Sequence, residues 1–219
     1  MKKKVVIIGG VAGGASTAAR LRRLDENVEI KIFERGKYIS YANCGLPYYV
    51  GNVIKERDSL LVQTTQGMKK RFNIDIYTLH EVLKIDRANK SLLIKNLKTD
   101  EIFQENYDIL VLSSGAEPIK PPIKGIDYAE NVFILRDIPD ADKIKNFIET
   151  KNPKKAVVIG GGFIGIEIAD SLLARGMNVT IVEKADQILV QLDKEMANIL
   201  HKNIKNKGVD LILSDSIEE

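Results

Sequence analysis

The chain has 219 residues, enough for one large domain or two small ones with a core. It is 44% apolar and 29% charged, as in an ordinary soluble globular protein, and its net charge of +3 is too small and too interleaved to indicate nucleic acid. A single cysteine excludes an internal disulfide framework. No apolar run has the length of a membrane span, so we expect a cytoplasmic protein. The two histidines show no ligand spacing, so we expect no metal site.

The N-terminal stretch has the pattern of a dinucleotide-binding unit. An apolar strand at Val5–Ile8 enters a glycine-rich turn, a helix follows as far as Leu24, and a second strand ends at Glu34. Glycines allow the tight turn, the helix N-terminus favours a pyrophosphate, and the acid 20 residues after Gly14 can bind a ribose hydroxyl. Position 11, the middle glycine of the usual pattern, is valine here. The predicted binding residues are Gly9, Val11, Ala12, Gly13, Gly14, Glu34 and Arg35.

The only cysteine, Cys44, lies in the segment Ser40–Gly51, where Gly45 and Pro47 favour a turn or a helix start over a strand. A lone cysteine in an intracellular protein is more often a small buried hydrophobe. A thiolate stabilised by unpaired backbone N–H groups would instead be reactive. The residues next to Cys44 leave both interpretations open.

The middle of the chain is predicted to hold short elements. The stretches 59–62 and Thr65–Phe72 have helical character, and the second carries three basic residues that form either a solvated face or a site for a phosphate-bearing ligand. Strand candidates that we interpret as an antiparallel insertion lie near Ile74–Thr78, Val82–Asp86 and Ser91–Asn96. A buried strand follows at Tyr107–Leu112. The prolines at 118, 121 and 122 mark the best domain boundary in the chain.

The opening pattern then repeats. After a helix predicted at Pro139–Thr150, the strand Ala156–Ile159 leads into a complete GxGxxG, and the next strand ends at Glu183. Asp193 is placed to cap a further helix with an apolar stripe, and a last strand is predicted at Val209–Leu213. Two fingerprints in one chain predict two nucleotide sites. The fold class we predict is α/β, with two Rossmann-like βαβ units and a small antiparallel insertion.

These motifs together resemble the FAD-dependent pyridine nucleotide-disulfide oxidoreductases, and within them the coenzyme A disulfide reductase branch. The cysteine segment is the most specific of the matching motifs, which are spread over essentially the whole chain. They are Gly9–Gly14 with Glu34, Ser40–Gly51, Gln63–Asn73, the strand leading to Gly115–Pro118, and Gly160–Gly165 with Glu167 and Glu183.

The resemblance implies that residues 1–112 form the N-terminal segment of an FAD-binding domain. Residues 113–219 would then form the first, incomplete part of an NAD(P)H-binding domain. Electrons would pass from NADH or NADPH through FAD to Cys44, which in this branch carries coenzyme A as a mixed disulfide at rest. The expected substrate is coenzyme A disulfide or a related small disulfide or persulfide. The full-length parent is expected to be a homodimer.

The resemblance also assigns individual residues. Phe163 would gate the flavin face where the nicotinamide docks, although a buried aromatic at a helix start is an equal alternative. Glu167 would lie near the nicotinamide amide, and Glu183 favours NADH, whereas Lys184 beside it leaves NADPH open. Further cofactor residues are Asn43, Ser113, Gly115, Gly160, Gly162, Ile164 and Gly165. Candidate contacts for coenzyme A are Arg20, Arg23, Ser40, Asn43, Lys69 and Arg71.

Three alternatives stay open at this point. In an NADH oxidase or peroxidase the cysteine would cycle through a sulfenic acid, but the histidine that such peroxidases commonly carry in the first glycine turn is replaced by Ala12. A polysulfide or persulfide reductase often has an added C-terminal rhodanese domain. The third alternative is a nucleotide-binding fragment without turnover, because the family normally continues through the rest of the NAD(P)H domain, a second FAD-contacting segment and a dimerisation domain.

Overall fold

The computed structural model describes residues 2–218, which divide into two compact units. The first unit contains the chain up to Ala42 together with Leu61–Glu117. The second contains Asn43–Leu60 together with the chain from Pro118 onward. The assignment of 1–112 and 113–219 to two nucleotide-binding domains concerns bound ligands and stays a prediction.

The elements alternate between strands and helices over most of the chain. In order they are β1 (Lys4–Ile8), α1 (Ala12–Leu24), β2 (Glu29–Glu34), α2 (Leu46–Val50), α3 (Thr65–Phe72), β3 (Asp75–Thr78), β4 (His80–Asp86), β5 (Ser91–Asn96), β6 (Ile102–Asn106), β7 (Ile109–Leu112), α4 (Ile138–Lys151), β8 (Lys155–Ile159), α5 (Phe163–Ala174), β9 (Asn178–Glu183), α6 (Lys194–Asn206) and β10 (Asp210–Leu213). Short 3-10 turns lie at Asn43–Gly45 and Arg57–Leu60.

The first unit is built on a parallel sheet of order β3-β2-β1-β7. The central strands β1 and β2 have buried side chains at successive positions, so both of their faces are covered, which explains the continuous apolar run at β1. The prediction that Ile74–Thr78 belongs to an antiparallel insertion is wrong. Strand β3 pairs parallel with β2, because the short helix α3 places Met68 in the same core as Ile74 and so forms a crossover.

The second face of this sheet is covered by an antiparallel sheet of order β4-β5-β6. Leu92 and Ile94 of β5 pack there against Val6 and Phe33 of the parallel sheet. The prediction of antiparallel strands at β4 and β5 is confirmed, and β6 is an additional strand that the sequence pattern did not reveal.

The second unit has a parallel sheet of order β10-β9-β8 with α5 and α6 as its crossover helices. Its elements follow the predicted repeat, and an α/β fold with two βαβ units is confirmed. The Asp137 carboxylate caps α4 by accepting from the Asp140 N–H at 3.0 Å. Asp193 stands at the N-cap of α6 as predicted, but its side chain makes no capping hydrogen bond there.

Two further properties concern ligands and membranes. Within residues 2–218, none of the helices has the length and apolarity needed to cross a membrane. Over the same residues, no group of three or more His, Cys, Asp and Glu side chains could hold a metal ion.

Candidate functional site: two glycine turns and a cysteine segment

The first glycine turn follows β1 and is closed so tightly that side chains would not fit. Gly9 has a φ of +95°, and a Cβ there would overlap the carbonyl oxygen of Ser113. A Cβ at Gly14 would overlap the carbonyl oxygen of Gly9, so α1 approaches the turn closely only because position 14 is glycine. The Gly9 N–H donates to the Phe33 carbonyl at 2.8 Å, which ties the turn to the end of β2.

The carboxylate of Glu34 is fixed beside this turn by two backbone groups. Oε2 accepts from the Gly10 N–H and Oε1 from the Gly36 N–H, both at 2.6 Å. Each oxygen of an ionised carboxylate has two lone pairs, so each keeps one for a ribose hydroxyl. Arg35, which follows, is exposed and lies 3.8 Å from the Glu81 carboxylate.

The segment after Glu34, residues 35–40, is called the first loop below, and it returns to the glycine turn. The Ser40 N–H donates to the Gly10 carbonyl at 3.0 Å, and the Ile39 side chain lies against Gly10. The Ser40 carbonyl in turn accepts from the N–H groups of Val62 and Gln63 at 2.8 and 3.1 Å. Ser40, predicted to contact coenzyme A, is therefore hydrogen-bonded to the first turn.

Two other predicted residues lie at the same turn, on the segment that follows β7. Ser113 extends the pairing of β7 by donating its N–H to the Ile8 carbonyl at 2.8 Å, and its side chain faces Gly13. Gly115, two residues on, has a φ of +71°. The structure thus brings the predicted first-site residues together at the carboxyl ends of β1, β2 and β7.

The second glycine turn repeats this geometry after β8. Gly160 has a φ of +102°, and a Cβ at Gly165 would overlap the Gly160 carbonyl oxygen. The Glu183 carboxylate accepts from the Gly161 N–H at 2.6 Å and from the Ala185 N–H at 2.8 Å. The two carboxylates are therefore held in the same way.

The segment after Glu183, residues 184–189, is called the second loop. The Leu189 N–H donates to the Gly161 carbonyl at 2.9 Å. Ile188 is fully buried, and a Cβ at Gly161 would lie 2.6 Å from its Cγ2. The second loop therefore closes on the second turn as the first loop closes on the first turn.

Both turns fit a dinucleotide. No side chain caps α1 at Val11 or α5 at Gly162, and neither helix carries an acidic residue in its first turn. The first N–H groups of both helices are therefore available to phosphate oxygens, which the helix dipole also favours. Valine at position 11 leaves this arrangement intact.

The start of α5 presents its side chains to solvent. Phe163 is 60% exposed and Ile164 is 58% exposed, so Phe163 is not a buried helix-start aromatic. Glu167 is half-buried one turn further along the helix. It lines a cleft of about 270 Å³ together with Tyr48 and residues of α6.

Cys44 is exposed, in the 3-10 turn that leads directly into α2. The interpretation of this cysteine as a buried hydrophobe is therefore wrong. Helix α2 instead buries Leu46, Tyr49 and Val50, which anchor the cysteine segment in the second unit.

Polar contacts from α4 and α5 fix α2 further, and none of them was predicted. The Tyr49 hydroxyl donates to the Asp142 carboxylate at 3.0 Å, and burial together with this bond raises the pKa of Tyr49 to about 12. The Lys145 ammonium lies 4.3 Å from the Tyr49 ring centre, and Arg175 donates to the Val50 carbonyl at 2.9 Å. The Arg175 cation at this last carbonyl of α2 complements the helix dipole.

The predicted coenzyme A residues are spread over several elements. Arg20 and Arg23 are exposed on α1, while Asn43 lies in the second unit beside Cys44. On α3, Lys69 is paired with Asp75 at 2.6 Å, and Arg71 lies over the Phe72 ring. Their assignment to coenzyme A stays a prediction.

The arginine that joins α1 to the end of α3 was not identified from the sequence. It is Arg22, which donates to the carbonyls of Phe72 and Asn73 at 2.8 and 3.1 Å. In the sequence it is one of three arginines on α1 and carries no distinguishing signal.

Comparison with known proteins identifies the family. The family model described as pyridine nucleotide-disulphide oxidoreductase matches residues 3–219. The chain belongs to this family. A coenzyme A disulfide reductase of Staphylococcus haemolyticus is 36% identical over 215 residues, covering 98% of this chain and 48% of that protein.

Two further proteins are similar to this chain. An NADH oxidase of Methanocaldococcus jannaschii is 38% identical over 217 residues, covering 99% of this chain and 48% of that protein. The crystal structure of reduced CoADR-RHD from Bacillus anthracis superposes with a TM-score of 0.97 at 54% identity, covering 100% of this chain and 39% of that one. The chain thus spans about half the length of the curated relatives it matches.

Proposed function

We propose that this chain supplies the FAD site, the first part of the NAD(P)H site and the redox cysteine of a flavoprotein disulfide reductase. The observation that carries the proposal is the pair of glycine turns, each with a carboxylate fixed by two backbone N–H groups. Family membership and the exposed Cys44 support it. We further propose that the protein works in the cytoplasm and that the full-length parent is a homodimer.

Each unit contributes the same three functions to nucleotide binding. The N-terminus of α1 or α5 binds the pyrophosphate, and Glu34 or Glu183 binds the adenosine ribose. The first or second loop closes against the turn. When bound, NAD(P)H and FAD supply the two electrons needed to reduce a disulfide. Glu183 disfavours a 2′-phosphate, so NADH is the expected donor.

Cys44 performs the thiol exchange. Its thiolate attacks one sulfur of the substrate disulfide, a Cys44–substrate disulfide forms, and the other half of the substrate leaves as a thiolate. Two electrons and one proton then regenerate the Cys44 thiolate and release the second half as a thiol. The balance is one disulfide, one NAD(P)H and one proton giving two thiols and NAD(P)⁺.

We propose coenzyme A disulfide, or a related small disulfide or persulfide, as the substrate. The names of similar proteins support this class, since one relative is a coenzyme A disulfide reductase and the superposed structure is a CoADR-RHD. Arg20 and Arg23 on α1 and Arg71 on α3 are exposed and can bind a phosphate-bearing ligand.

The test combines mass spectrometry with thiol counting. The purified protein is weighed before and after reduction, and we expect it to lose one coenzyme A moiety, whereas Cys44→Ser carries none. With FAD added, we expect two thiols released from coenzyme A disulfide per NADH oxidised, and none from Cys44→Ser. An unmodified protein that binds no flavin and releases no thiol would contradict the proposal.

The second candidate function is an NADH oxidase in which Cys44 cycles through a sulfenic acid. The similarity to an NADH oxidase favours it. Reaction with dimedone separates the two functions, because dimedone labels a sulfenic acid and leaves a mixed disulfide unlabelled. Labelling of the NADH-treated protein in air, with no coenzyme A adduct, selects the oxidase.

A further inference from the structure

The second loop is held on its glycine turn from two sides. On one side, the Leu189 N–H donates to the Gly161 carbonyl at 2.9 Å, and Ile188 packs on Gly161. On the other side, the Ile188 N–H donates to Nε2 of His201 at 3.2 Å. His201 belongs to α6, so this bond ties the loop to the neighbouring helix. The hydrogen bond from Ile188 to His201 depends on the protonation state of the imidazole ring.

The first loop is held at Ser40 by backbone groups. There the Ser40 carbonyl accepts from the backbone N–H groups of Val62 and Gln63, and Tyr41 bridges to Leu61. A tether made of backbone groups does not change with pH. The corresponding tether of the second loop can change.

His201 can accept this hydrogen bond only as a neutral imidazole, because a protonated ring has N–H donors at both nitrogens. Burial lowers the pKa of His201 below its ordinary value of 6.5, and the Lys205 ammonium one turn along α6 lowers it further. The Asp186 carboxylate on the loop opposes this shift, but it is paired with Lys194 at 2.6 Å. At neutral pH the ring is therefore an acceptor.

We propose that His201 is a positioning residue for the nucleotide site of the second unit. Its neutral ring holds the second loop against the glycine turn, and its protonation frees the Ile188 N–H and weakens nucleotide binding at that turn. This inference rests on the proposed function of the second unit. His201 acts through the loop and does not itself contact the ligand.

The sign and the size of the effect follow from the bond. Above the pKa of His201 the hydrogen bond from Ile188 is present. Below that pKa the Ile188 N–H faces the N–H of a protonated ring, so the affinity for the nucleotide falls as the pH falls. The net value of one hydrogen bond corresponds to roughly a fivefold change in the dissociation constant. The loop keeps its contacts with Gly161, so the change is a weakening and not a complete loss.

The test is calorimetric titration of the protein with NAD⁺ between pH 5 and pH 8. We expect the wild-type dissociation constant to increase as the pH falls and His201 becomes protonated, by up to roughly fivefold. His201→Gln keeps an acceptor oxygen that does not titrate, so it should bind at every pH as the wild type does at pH 8. His201→Leu should bind weakly at every pH. His80→Gln, in the first unit, is the matched control and should keep the wild-type profile.

Two results would overturn the inference. One is a His201→Gln variant that keeps the wild-type pH profile, because the titrating group would then lie elsewhere. The other is an Ile188 amide resonance, in nucleotide-free protein, that does not shift as His201 titrates. Failure to bind NAD⁺ at any pH would instead overturn the nucleotide assignment of the second unit, and the Ile188 resonance distinguishes the two failures.

Discussion

The two glycine turns have the same internal hydrogen bonds but differ in what holds their loops. In both, the acid that ends the second strand accepts from the turn and from the residue two positions after it. In both, the residue six positions after the acid donates its N–H back to the turn. The first loop is then tethered by backbone groups near Val62, and the second by the His201 side chain. Local sequence therefore determines the turn, and the neighbouring element determines how firmly the loop is held.

The largest loss of stability is expected when the last glycine of either turn is replaced. In Gly14→Ala or Gly165→Ala the new Cβ would overlap a backbone carbonyl oxygen that cannot move away cheaply. We expect each variant to lose about 3 kcal/mol of stability in its own unit. Native-state hydrogen exchange at Ile32 and Ile181 reports the two units separately.

The control for these variants is Gly162→Ala, because nothing lies within 4 Å of a Cβ at that position. We expect it to change stability by less than about 0.5 kcal/mol. If Gly14→Ala or Gly165→Ala reduced the protection from hydrogen exchange equally at Ile32 and Ile181, the expectation that each variant destabilises only its own unit would be wrong.

A second test exchanges each carboxylate for an amide. In Glu34→Gln or Glu183→Gln one backbone N–H would face an amide NH₂ group, so one charge-assisted hydrogen bond is lost. Such a bond is worth about 1.5–3 kcal/mol, which predicts at least a tenfold loss of affinity at the altered turn. Titration with FAD and with NAD⁺ measures both sites.

The two amide variants act as controls for each other. Glu34→Gln should weaken FAD binding and leave NAD⁺ binding unchanged, and Glu183→Gln should do the reverse. If either variant weakened both ligands to the same degree, the assignment of one ligand to each turn would be wrong.

The smallest effect concerns the cysteine segment, which only the second unit contains. The pKa of Tyr49 is raised to about 12, first by burial and then by its bond to Asp142. A raised pKa means that the neutral phenol stabilises the fold below pH 10 and that this stability is lost as the pH rises towards 12. We expect about 1 kcal/mol to be lost between pH 9 and pH 11.

This loss is measured as the free energy of unfolding in urea at several alkaline pH values. In Tyr49→Phe the phenol is absent, so the part of the pH dependence due to Tyr49 should disappear. An equal pH dependence in the wild type and in Tyr49→Phe would show that the phenol is not held as the structure describes.

Both βαβ units could be predicted from the sequence because their signals are local. Strand, glycine turn, helix and acid follow each other within about 30 residues, and each step has its own residue types. Helix α3 was predicted correctly, but strand β3 was misassigned because only Leu79 separates it from β4, a spacing typical of consecutive antiparallel strands. Strand β6, Ile-Phe-Gln-Glu-Asn, is too polar to stand out.

The candidate site was predictable only where it depends on neighbours in sequence. The positions of Gly9, Glu34, Gly160 and Glu183 follow from the fingerprints. The bonds of His201 to Ile188 and of Tyr49 to Asp142 join residues 13 and 93 positions apart. Single-sequence patterns contain no signal for such pairs, because their geometry depends on how the helices pack.

One helix of the second unit has a mechanical consequence. Helix α5 starts at the second glycine turn, and its C-cap residue, Arg175, donates to the last carbonyl of α2. Twelve residues of α-helix are about 18 Å long and behave as a stiff rod. A tilt of α5 at the second glycine turn therefore moves Arg175, and with it the end of α2, the helix that follows Cys44.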